Sequence, residues 1–468
     1  MRGGVAPAAA TDRKRTRMSG SQLWGPPMLL VRARSVRAQG GVRSLYWAAQ
    51  RTEPRVSPLP LPIRLMNRAG SALRAVGVAR PRLDEASLLD AARRRTGLGE
   101  FGDASFREPL GRLLDSLEAD AALTTLGRVI ARTEIVSLLA NRLQMEDWWR
   151  RHPEIGEERI ERPVFVIGMG RTGTTILHDL LAQDSANRVP SSWEVARPCP
   201  PPEASSRDTD PRIAEVDALL AQTDRLIPGF KSMHPMGARL PQECVAITAH
   251  DFTSMIHHTS YRVPSYAAWL HGEAELGPVY ANHRRMLQLL QWRCPGERWV
   301  LKSPGHLWAL EDVMREYPDA VFVQTHRDPL RVVASLTSLV ALLRTMTSER
   351  VDTREVAREW TAHIATALDR SVEAREKGRI PAERIVDLQF RDFLADPFAA
   401  IQRIYDGFSL DYTGEADRRM RAFLAANPSD RHGTHRYRFA DTGLSVDEER
   451  ERYRRYQMYF DVPSEDLD

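Results

Sequence analysis

Cysteine is scarce in this sequence, and long apolar runs are missing from it. Its 468 residues include only Cys199, Cys244 and Cys294, an odd number without metal-like spacing. We therefore expect neither a disulfide framework nor a cysteine-based zinc site, and the reducing cytoplasm is the compartment that fits. Because no run reaches the roughly 18 apolar residues that a spanning helix needs, we expect no transmembrane segment.

Lysine is almost as rare, and the basic charge is concentrated at one end of the chain. Of the 66 basic residues four are lysines, at positions 14, 231, 302 and 377. Residues 1–65 carry a surplus of +10, which leaves −6 for the remainder of a chain whose net charge is +4. A mildly acidic remainder argues against a nucleic-acid partner, because a protein that binds nucleic acid needs a basic stripe on its folded face.

Composition and hydrophobic periodicity divide the chain into three regions. Residues 1–65 are rich in Arg, Gly, Pro and Ala and lack periodicity, so we interpret them as a disordered basic segment. Apolar residues at three- and four-residue spacing predict a helical subdomain over 66–160. The third region, 161–468, contains an insertion at about 198–296, which we interpret as a helical lid that selects the substrate.

Short apolar segments predict the strands of the third region. They lie at 164–167, 299–301, 320–325 and 384–389, and helical patterns separate them. Strand, helix and strand in repeated order indicate an α/β fold with a parallel sheet and helices on both faces. We therefore predict a three-layer, P-loop-like domain.

A glycine-rich loop follows the first predicted strand directly. It reads Gly168-Met-Gly-Arg-Thr-Gly-Thr-Thr175, and leucines at helical spacing follow it. Glycines permit a tight turn in which backbone N–H groups converge, and the helix N-terminus adds positive potential, so the loop predicts an anion site. Arg171 supplies a planar guanidinium that suits a pair of phosphate or sulfonate oxygens.

The loop differs from that of ATP-binding P-loop proteins, which place a lysine before Ser or Thr. Here Thr174 occupies the lysine position, which disfavours ATP with Mg²⁺. A P-loop phosphotransferase or kinase is nevertheless the main alternative function, and a non-catalytic nucleotide-binding protein is the second.

The loop resembles the 5′-phosphosulfate loop of sulfotransferases that use 3′-phosphoadenosine 5′-phosphosulfate (PAPS). Ile176 replaces a tryptophan of the cytosolic enzymes, so the chain is more similar to the bacterial and protein-tyrosine-type branch. The resemblance implies PAPS as co-substrate and no metal in the reaction. It also implies the loop residues that hold the donor, namely Gly170, Arg171, Thr172, Gly173, Thr174 and Thr175.

Two later segments resemble the site for the donor's 3′-phosphate. Arg327 lies at the end of a predicted strand, and Ser335 follows two turns into the next helix, where both could donate to the same oxygens. Asp328 and Pro329 also fit a simple helix cap. Arg436 lies in a basic, turn-rich stretch that resembles the loop closing over the nucleotide, and a solvated basic loop is the alternative.

The catalytic candidates follow from the chemistry of sulfonate transfer, in which a phosphate oxygen leaves and the acceptor hydroxyl loses a proton. Arg171 and Lys302 are the candidates for stabilising the developing charge, and Lys302 lies in a segment that resembles the family's Leu-Lys-Thr-His. Glu194 and His306 compete as the general base. The structural alternative for Glu194 is an ion pair with Arg197. The alternative for His306 is a place near the start of a helix without a role in catalysis.

The insertion suggests the class of acceptor but not its identity. We expect a small-molecule or lipid alcohol, because the insertion holds large apolar side chains that could line a cavity, although core packing explains them equally well. These side chains are Met233, Met236, Phe252, Met255, Tyr261, Tyr266 and Trp269.

Overall fold

The structure, a computed structural model, describes most of the chain beyond residue 80. The described residues are 64–65, 67–70, 81–226, 233, 236–428 and 437–467. All of them belong to one unit, Pro54–Asp468. The predicted disordered segment 1–65 lies outside the described residues except for its last two.

A sheet of five parallel strands lies at the centre, in the order β2-β3-β1-β4-β5. The strands are β1 (Val164–Ile167), β2 (Asn187–Arg188), β3 (Arg298–Lys302), β4 (Val321–His326) and β5 (Ile385–Gln389). In the centre of the sheet, Val164 of β1 lies opposite Val300 of β3 and Val321 of β4. The four strands that the sequence predicts are confirmed. The two-residue β2 is too short to give a pattern.

Helices cover both faces of the sheet, and short 3₁₀ turns join several of them. The α-helices of the described residues are α1 (Glu85–Thr96), α2 (Arg107–Ala119), α3 (Thr125–Arg151), α4 (Thr174–Leu181), α5 (Ser192–Ala196), α6 (Pro211–Leu226), α7 (Cys244–Thr248), α8 (Met255–Ser260), α9 (Pro264–Gly272), α10 (Gly277–Gln291), α11 (Leu310–Glu316), α12 (Pro329–Arg344), α13 (Thr353–Glu376), α14 (Phe390–Ala395), α15 (Pro397–Gly407), α16 (Gly414–Ala426) and α17 (Val446–Tyr459).

Side-chain caps determine where several helices begin. Asp84 accepts from the amide of Ser87 at the start of α1, and Thr124 accepts from that of Gly127 at the start of α3. Asp328 accepts from the amide of Leu330 at the start of α12, as the sequence predicts. Each cap satisfies an N–H group that has no partner within its helix, and the one at Asp328 also fixes the direction in which the chain leaves β4.

The alternating side chains of β1 show the three layers. Phe165 and Ile167 belong to one buried apolar cluster, and Val164 and Val166 belong to a second cluster. Because successive side chains of a strand point to opposite faces, the two clusters lie on opposite sides of the sheet. The predicted α/β fold with helices on both faces is confirmed.

Helices α1 to α3 lie in the region where the sequence predicts a helical subdomain, and α6 to α10 lie in the predicted insertion. Leu88 of α1 and Leu113 of α2 belong to the same buried cluster as Phe165. The boundaries at residues 160, 198 and 296 stay predictions. Among the described residues, no helix combines the length and the apolar character needed to cross a membrane.

Candidate functional site

The loop between β1 and α4 has a backbone that only particular residues allow. Gly168 and Gly173 have φ values of +136° and +91°, and Arg171 also has a positive φ, 74°. A Cβ atom on Gly168 would lie 2.3 Å from the hydroxyl oxygen of Thr325, so no other residue fits there. The loop thus passes closely over the end of β4 before it enters α4.

Threonine hydroxyls fix the loop in place. Thr172 Oγ1 donates to the backbone oxygen of Met169 at 2.6 Å, and it lies 2.6 Å from Thr325 Oγ1. Thr174 is the first residue of α4, and its side chain is buried. The hydroxyl of Thr175 accepts from Lys302 Nζ at 3.4 Å. Thr172 therefore holds the loop to β4, whereas Thr175 connects it to β3.

Arg171, Ser335 and Arg327, predicted from separate segments, lie together. Arg171 Nε donates to Ser335 Oγ at 3.0 Å, and Arg171 Nη1 donates to the backbone oxygen of Met233 at 2.6 Å. Arg327 Nη1 donates to the backbone oxygen of Arg171 at 2.9 Å. The guanidinium of Arg327 lies over the ring of Phe390, 4.1 Å from its centroid. Two cationic side chains are thus concentrated at the carboxyl ends of β1 and β4, where parallel sheets bind ligands.

The segment that follows α17 supplies an anion to this cationic region. Glu465 accepts from Nε and Nη2 of Arg327 at 2.9 and 3.0 Å. Arg331 Nε lies 3.8 Å from the same carboxylate. The amide of Glu465 donates to Asp328 at 2.7 Å, and Arg450 donates to both oxygens of Asp328. A carboxylate therefore occupies the guanidinium edge that the sequence assigns to phosphate.

Lys302 lies at the end of β3, beside the loop. Its side chain is 2% exposed, and its ammonium group donates to the carboxylate of Glu243 and to the hydroxyl of Thr175. Glu243 immediately precedes α7. Sequence reasoning missed Glu243, because nothing in its neighbours along the chain relates it to a lysine 59 residues away.

Two buried titratable groups of α4 lie within electrostatic range of Lys302. Burial and, to a smaller extent, the charge of Lys302 lower the pKa of His178 to about 3. Burial raises the pKa of Asp179 to about 7, and Lys302 opposes that shift. His178 is therefore neutral at neutral pH, and the Asp179 carboxyl changes its charge near neutral pH.

Glu194 is fully buried in a network of N–H donors. Arg188 donates to both of its oxygens at 2.7 and 3.0 Å, and Arg207 donates to one of them at 3.1 Å. The amide of Ser191 donates to the other at 2.8 Å, which makes a capping box at the start of α5. Burial would raise the pKa of Glu194, but its arginine partners reverse that effect and lower it. Its partners are thus Arg188 and Arg207, and not the Arg197 that the sequence suggests.

His306 lies in a buried aromatic group in the 3₁₀ turn after β3. Its Nδ1 is 2.8 Å from the hydroxyl of Tyr280, and its ring packs edge-on against Phe165 with centroids 4.9 Å apart. Its Nε2 has no hydrogen-bond partner within the described part of the chain. Burial lowers the pKa of His306 well below its usual value, and the neighbouring His283 contributes to the same shift. The ring is therefore neutral and a weak base.

A cavity of about 50 Å³ lies beside this turn. Ser303, His306 and Met255 are among its lining residues. It is far smaller than the roughly 300–1,000 Å³ of a typical small-molecule site, so it does not hold a sizeable acceptor in this conformation. Of the other large residues of the insertion, Phe252 and Trp269 belong to the main apolar core.

Two predicted site residues remain, Gly170 and Arg436, and the structure describes only the first of them. Gly170 has no side chain to crowd the loop, and a Cβ atom built on it would come no closer than 4.0 Å to Leu336. Arg436 lies outside the described residues, so its predicted contact with the nucleotide stays a prediction.

Comparison with known proteins places this geometry in a family. The profile of the sulfotransferase family matches residues 163–414, which include the loop, Lys302, Arg327 and Ser335. A curated relative, the omega-hydroxy-beta-dihydromenaquinone-9 sulfotransferase Stf3 of Mycobacterium bovis, is 24% identical over 275 residues. That match covers 56% of this chain and 66% of the relative, so the chain spans slightly less than two thirds of the relative's length.

Two crystal structures of mycobacterial sulfotransferases have the same fold. Sulfotransferase STF1 of Mycobacterium tuberculosis H37Rv is 33% identical with a TM-score of 0.72, and the match covers 80% of this chain and 99% of STF1. Sulfotransferase STF9 of Mycobacterium avium is 31% identical with a TM-score of 0.74, and the match covers 82% of this chain and 98% of STF9. The resemblance that the loop at 168–175 suggests is confirmed, and the chain belongs to the sulfotransferase family.

Proposed function

We propose that this protein transfers the sulfonate group of PAPS to a hydroxyl of a small-molecule or lipid acceptor. The observation that carries the proposal is the convergence of Arg171, Ser335 and Arg327 at the carboxyl ends of β1 and β4. Membership of the sulfotransferase family supports the reaction class. The two arginines would repel one another less once an anion lies between them, which favours a doubly anionic ligand.

The donor would be held at two ends. The amides of residues 170–175 and the N-terminus of α4 suit the 5′-phosphosulfate, with the hydroxyl groups of Thr174 and Thr175 as further donors. Arg327 suits the 3′-phosphate, because its fork matches a pair of phosphate oxygens and Phe390 keeps its plane fixed. Thr172 would act indirectly, since its hydroxyl is engaged in holding the loop.

The transfer would be an in-line displacement at sulfur. The acceptor oxygen forms a bond to sulfur while the bond from sulfur to the bridging phosphate oxygen breaks, and 3′-phosphoadenosine 5′-phosphate (PAP) leaves with the electron pair. Lys302 and Arg171 would stabilise the negative charge that develops on the bridging oxygen and the sulfonate. Lys302 is suited to this role because it already contacts the loop through Thr175.

The acceptor proton needs a base, and three side chains are candidates. Glu194 and His306 come from the sequence, and Glu243 comes from its contact with Lys302. We favour Glu243, because Glu194 is surrounded by arginines and the pKa of His306 lies far below neutrality. Donor binding would give Lys302 a second anionic partner, which would free an oxygen of Glu243 for the acceptor hydroxyl.

The proposed acceptor class rests on the relative. The name of the M. bovis relative assigns to that protein a hydroxylated menaquinone derivative, which is a lipid alcohol. A lipid of that kind needs more room than the cavity of about 50 Å³ beside His306 provides. A lipid acceptor would therefore require the helices of the predicted insertion to move apart.

The donor can be tested without knowing the acceptor. We would titrate the full chain with PAP and with ATP in the absence of metal, in wild type, in Arg327→Ala and in Arg391→Ala, an exposed arginine of α14 that serves as control. PAP should bind more tightly than ATP, and only Arg327→Ala should lose that preference. Equal or tighter binding of ATP, or transfer that depends on Mg²⁺, would favour the phosphotransferase alternative.

A further inference from the structure

Three histidines from three helices converge at a place outside the loop at 168–175. His258 belongs to α8, His271 to α9 and His363 to α13. One ring nitrogen of each lies within 4.8 Å of those of the other two, and Nε2 of His258 is 3.2 Å from Nε2 of His271. We propose that these three histidines bind a divalent transition-metal ion of the zinc class, which holds α8 and α9 to α13.

The spacing of the ring centroids is close to that of a tetrahedral site, although ring nitrogens up to 4.8 Å apart would have to move closer together. The ring centroids are 5.1 Å apart for His258 and His271, 5.2 Å for His258 and His363, and 4.5 Å for His271 and His363. With Zn–N bonds of about 2.0–2.1 Å and tetrahedral angles, ligand nitrogens lie about 3.4 Å apart and ring centroids about 5 Å apart. A hydrogen bond between His258 and His271 would explain their contact, but it would not explain the approach of the third ring.

The three rings are in the protonation state that a metal requires. Burial lowers the pKa of each ring, and that of His363 falls to about 4. Each imidazole is therefore neutral at neutral pH and keeps a lone pair for a metal.

A carboxylate lies near two of the rings. Glu359 Oε1 is 3.9 Å from His258 Nδ1 and 4.0 Å from His363 Nε2. His258 Nδ1 has no hydrogen-bond partner among the described residues, so its proton is available to this carboxylate after a small movement. Metal-binding histidines commonly direct their second nitrogen to such a group, which orients the ring.

Two arginines lie near the site, and one of them would oppose a dication and limit its affinity. Arg344 donates to both oxygens of Glu359 at 2.7 and 2.8 Å, so its charge is compensated. Arg370 donates to the backbone oxygen of His271 at 2.8 Å, and its charge adds to that of the ion. Because three histidines leave a fourth position open, water or hydroxide could complete the coordination and reduce the net charge.

The location of the site implies a structural function. The helices α8 and α9 lie in the predicted insertion, whereas α13 follows the helix that carries Ser335. An ion between them would hold the insertion against the sheet domain. None of the three histidines is among the residues proposed to bind PAPS or to take part in the transfer.

The test is metal binding by the full chain without a polyhistidine tag. After removal of metals, Co²⁺ should give the intense visible bands of a tetrahedral complex, and one equivalent of Zn²⁺ should abolish them. Excess Zn²⁺ should raise Tm by roughly 3–5 °C. His363→Gln and His271→Gln should lose the bands and the rise in Tm. His152→Gln, which changes a histidine outside the group, should keep both.

The cobalt spectrum of the wild type tests for metal binding even where a variant fails to fold. A featureless spectrum together with a Tm that Zn²⁺ does not change would overturn the proposal. Retention of the full cobalt signal in both histidine variants would also overturn it. Neither readout depends on PAPS, so the result is independent of the proposed transfer.

Discussion

Replacing Glu465 with glutamine would test whether the segment after α17 competes with the nucleotide for Arg327. The carboxylate accepts from Nε and Nη2 of Arg327 at 2.9 and 3.0 Å, on an edge that suits a pair of phosphate oxygens. A 3′-phosphate that takes this edge must first displace Glu465. Glutamine keeps the size of the side chain and removes its charge, so we expect tighter binding of PAP.

The size of the effect follows from the exposure of the pair. The side chain of Arg327 is 11% exposed and that of Glu465 is 33% exposed. Exposed ion pairs contribute at most about 1 kcal/mol, and hydrogen bonds to charged groups contribute about 1.5–3 kcal/mol, so we assign this partly exposed pair about 1 kcal/mol. Since about 1.4 kcal/mol corresponds to a tenfold change, the Kd for PAP should fall about fivefold.

Isothermal titration calorimetry would measure this change. Adenosine 5′-phosphosulfate, which lacks the 3′-phosphate, should bind Glu465→Gln and wild type equally. Glu451→Gln changes an exposed carboxylate of α17 that pairs with Arg454, and it should leave both affinities unchanged. Weaker binding of PAP to Glu465→Gln would refute the competition and would indicate that Glu465 positions Arg327 for the phosphate.

Three other carboxyl groups give further predictions. Glu194→Gln leaves the buried Arg188 without its charged partner, so urea denaturation should show a loss of about 3 kcal/mol; an unchanged midpoint would refute this. Glu243→Gln should lower kcat by about 10²- to 10⁴-fold with an unchanged Kd for PAP, and full activity would exclude it as the base. Burial raises the pKa of Asp179 in the folded state to about 7, so between about pH 4 and 7 the folded protein keeps a proton that the unfolded chain has released. The contribution of this proton to stability therefore falls by up to about 4 kcal/mol as the pH rises through that window. Asp179→Asn should therefore gain stability relative to wild type between pH 5 and 8, and a constant difference would contradict that pKa.

The sequence alone predicts those parts of the structure that are determined by residues close to one another along the chain. The strand at 164–167 is a continuous apolar run because both of its faces are buried, and that pattern is visible without tertiary information. The loop after it is recognisable because positive φ angles and a close approach to Thr325 require glycine at fixed positions. The cap at Asp328 is equally local, since donor and acceptor lie two residues apart.

Features that depend on distant partners were missed or only partly predicted. The sequence places Arg327 at a strand end, but Glu465, which holds its guanidinium, is 138 residues away. The histidines at 258, 271 and 363 lie on three helices, and no short motif connects them. Helix packing alone brings such groups together, and packing depends on the whole chain.

The choice of a catalytic carboxylate shows why contacts between residues far apart in the chain matter for predicting function. A glutamate at the right distance from a phosphate loop can act as a base only where few N–H groups compete for its oxygens. Glu194 lies at that distance in the sequence, yet Arg188, Arg207 and a backbone amide donate four hydrogen bonds to it. Glu243 has no such signature in the sequence, but it contacts Lys302, which also contacts the loop. The spacing along the chain can therefore indicate a candidate carboxylate, but its contacts in the fold decide whether an ion pair holds it, and those of Glu194 disfavour it as a base.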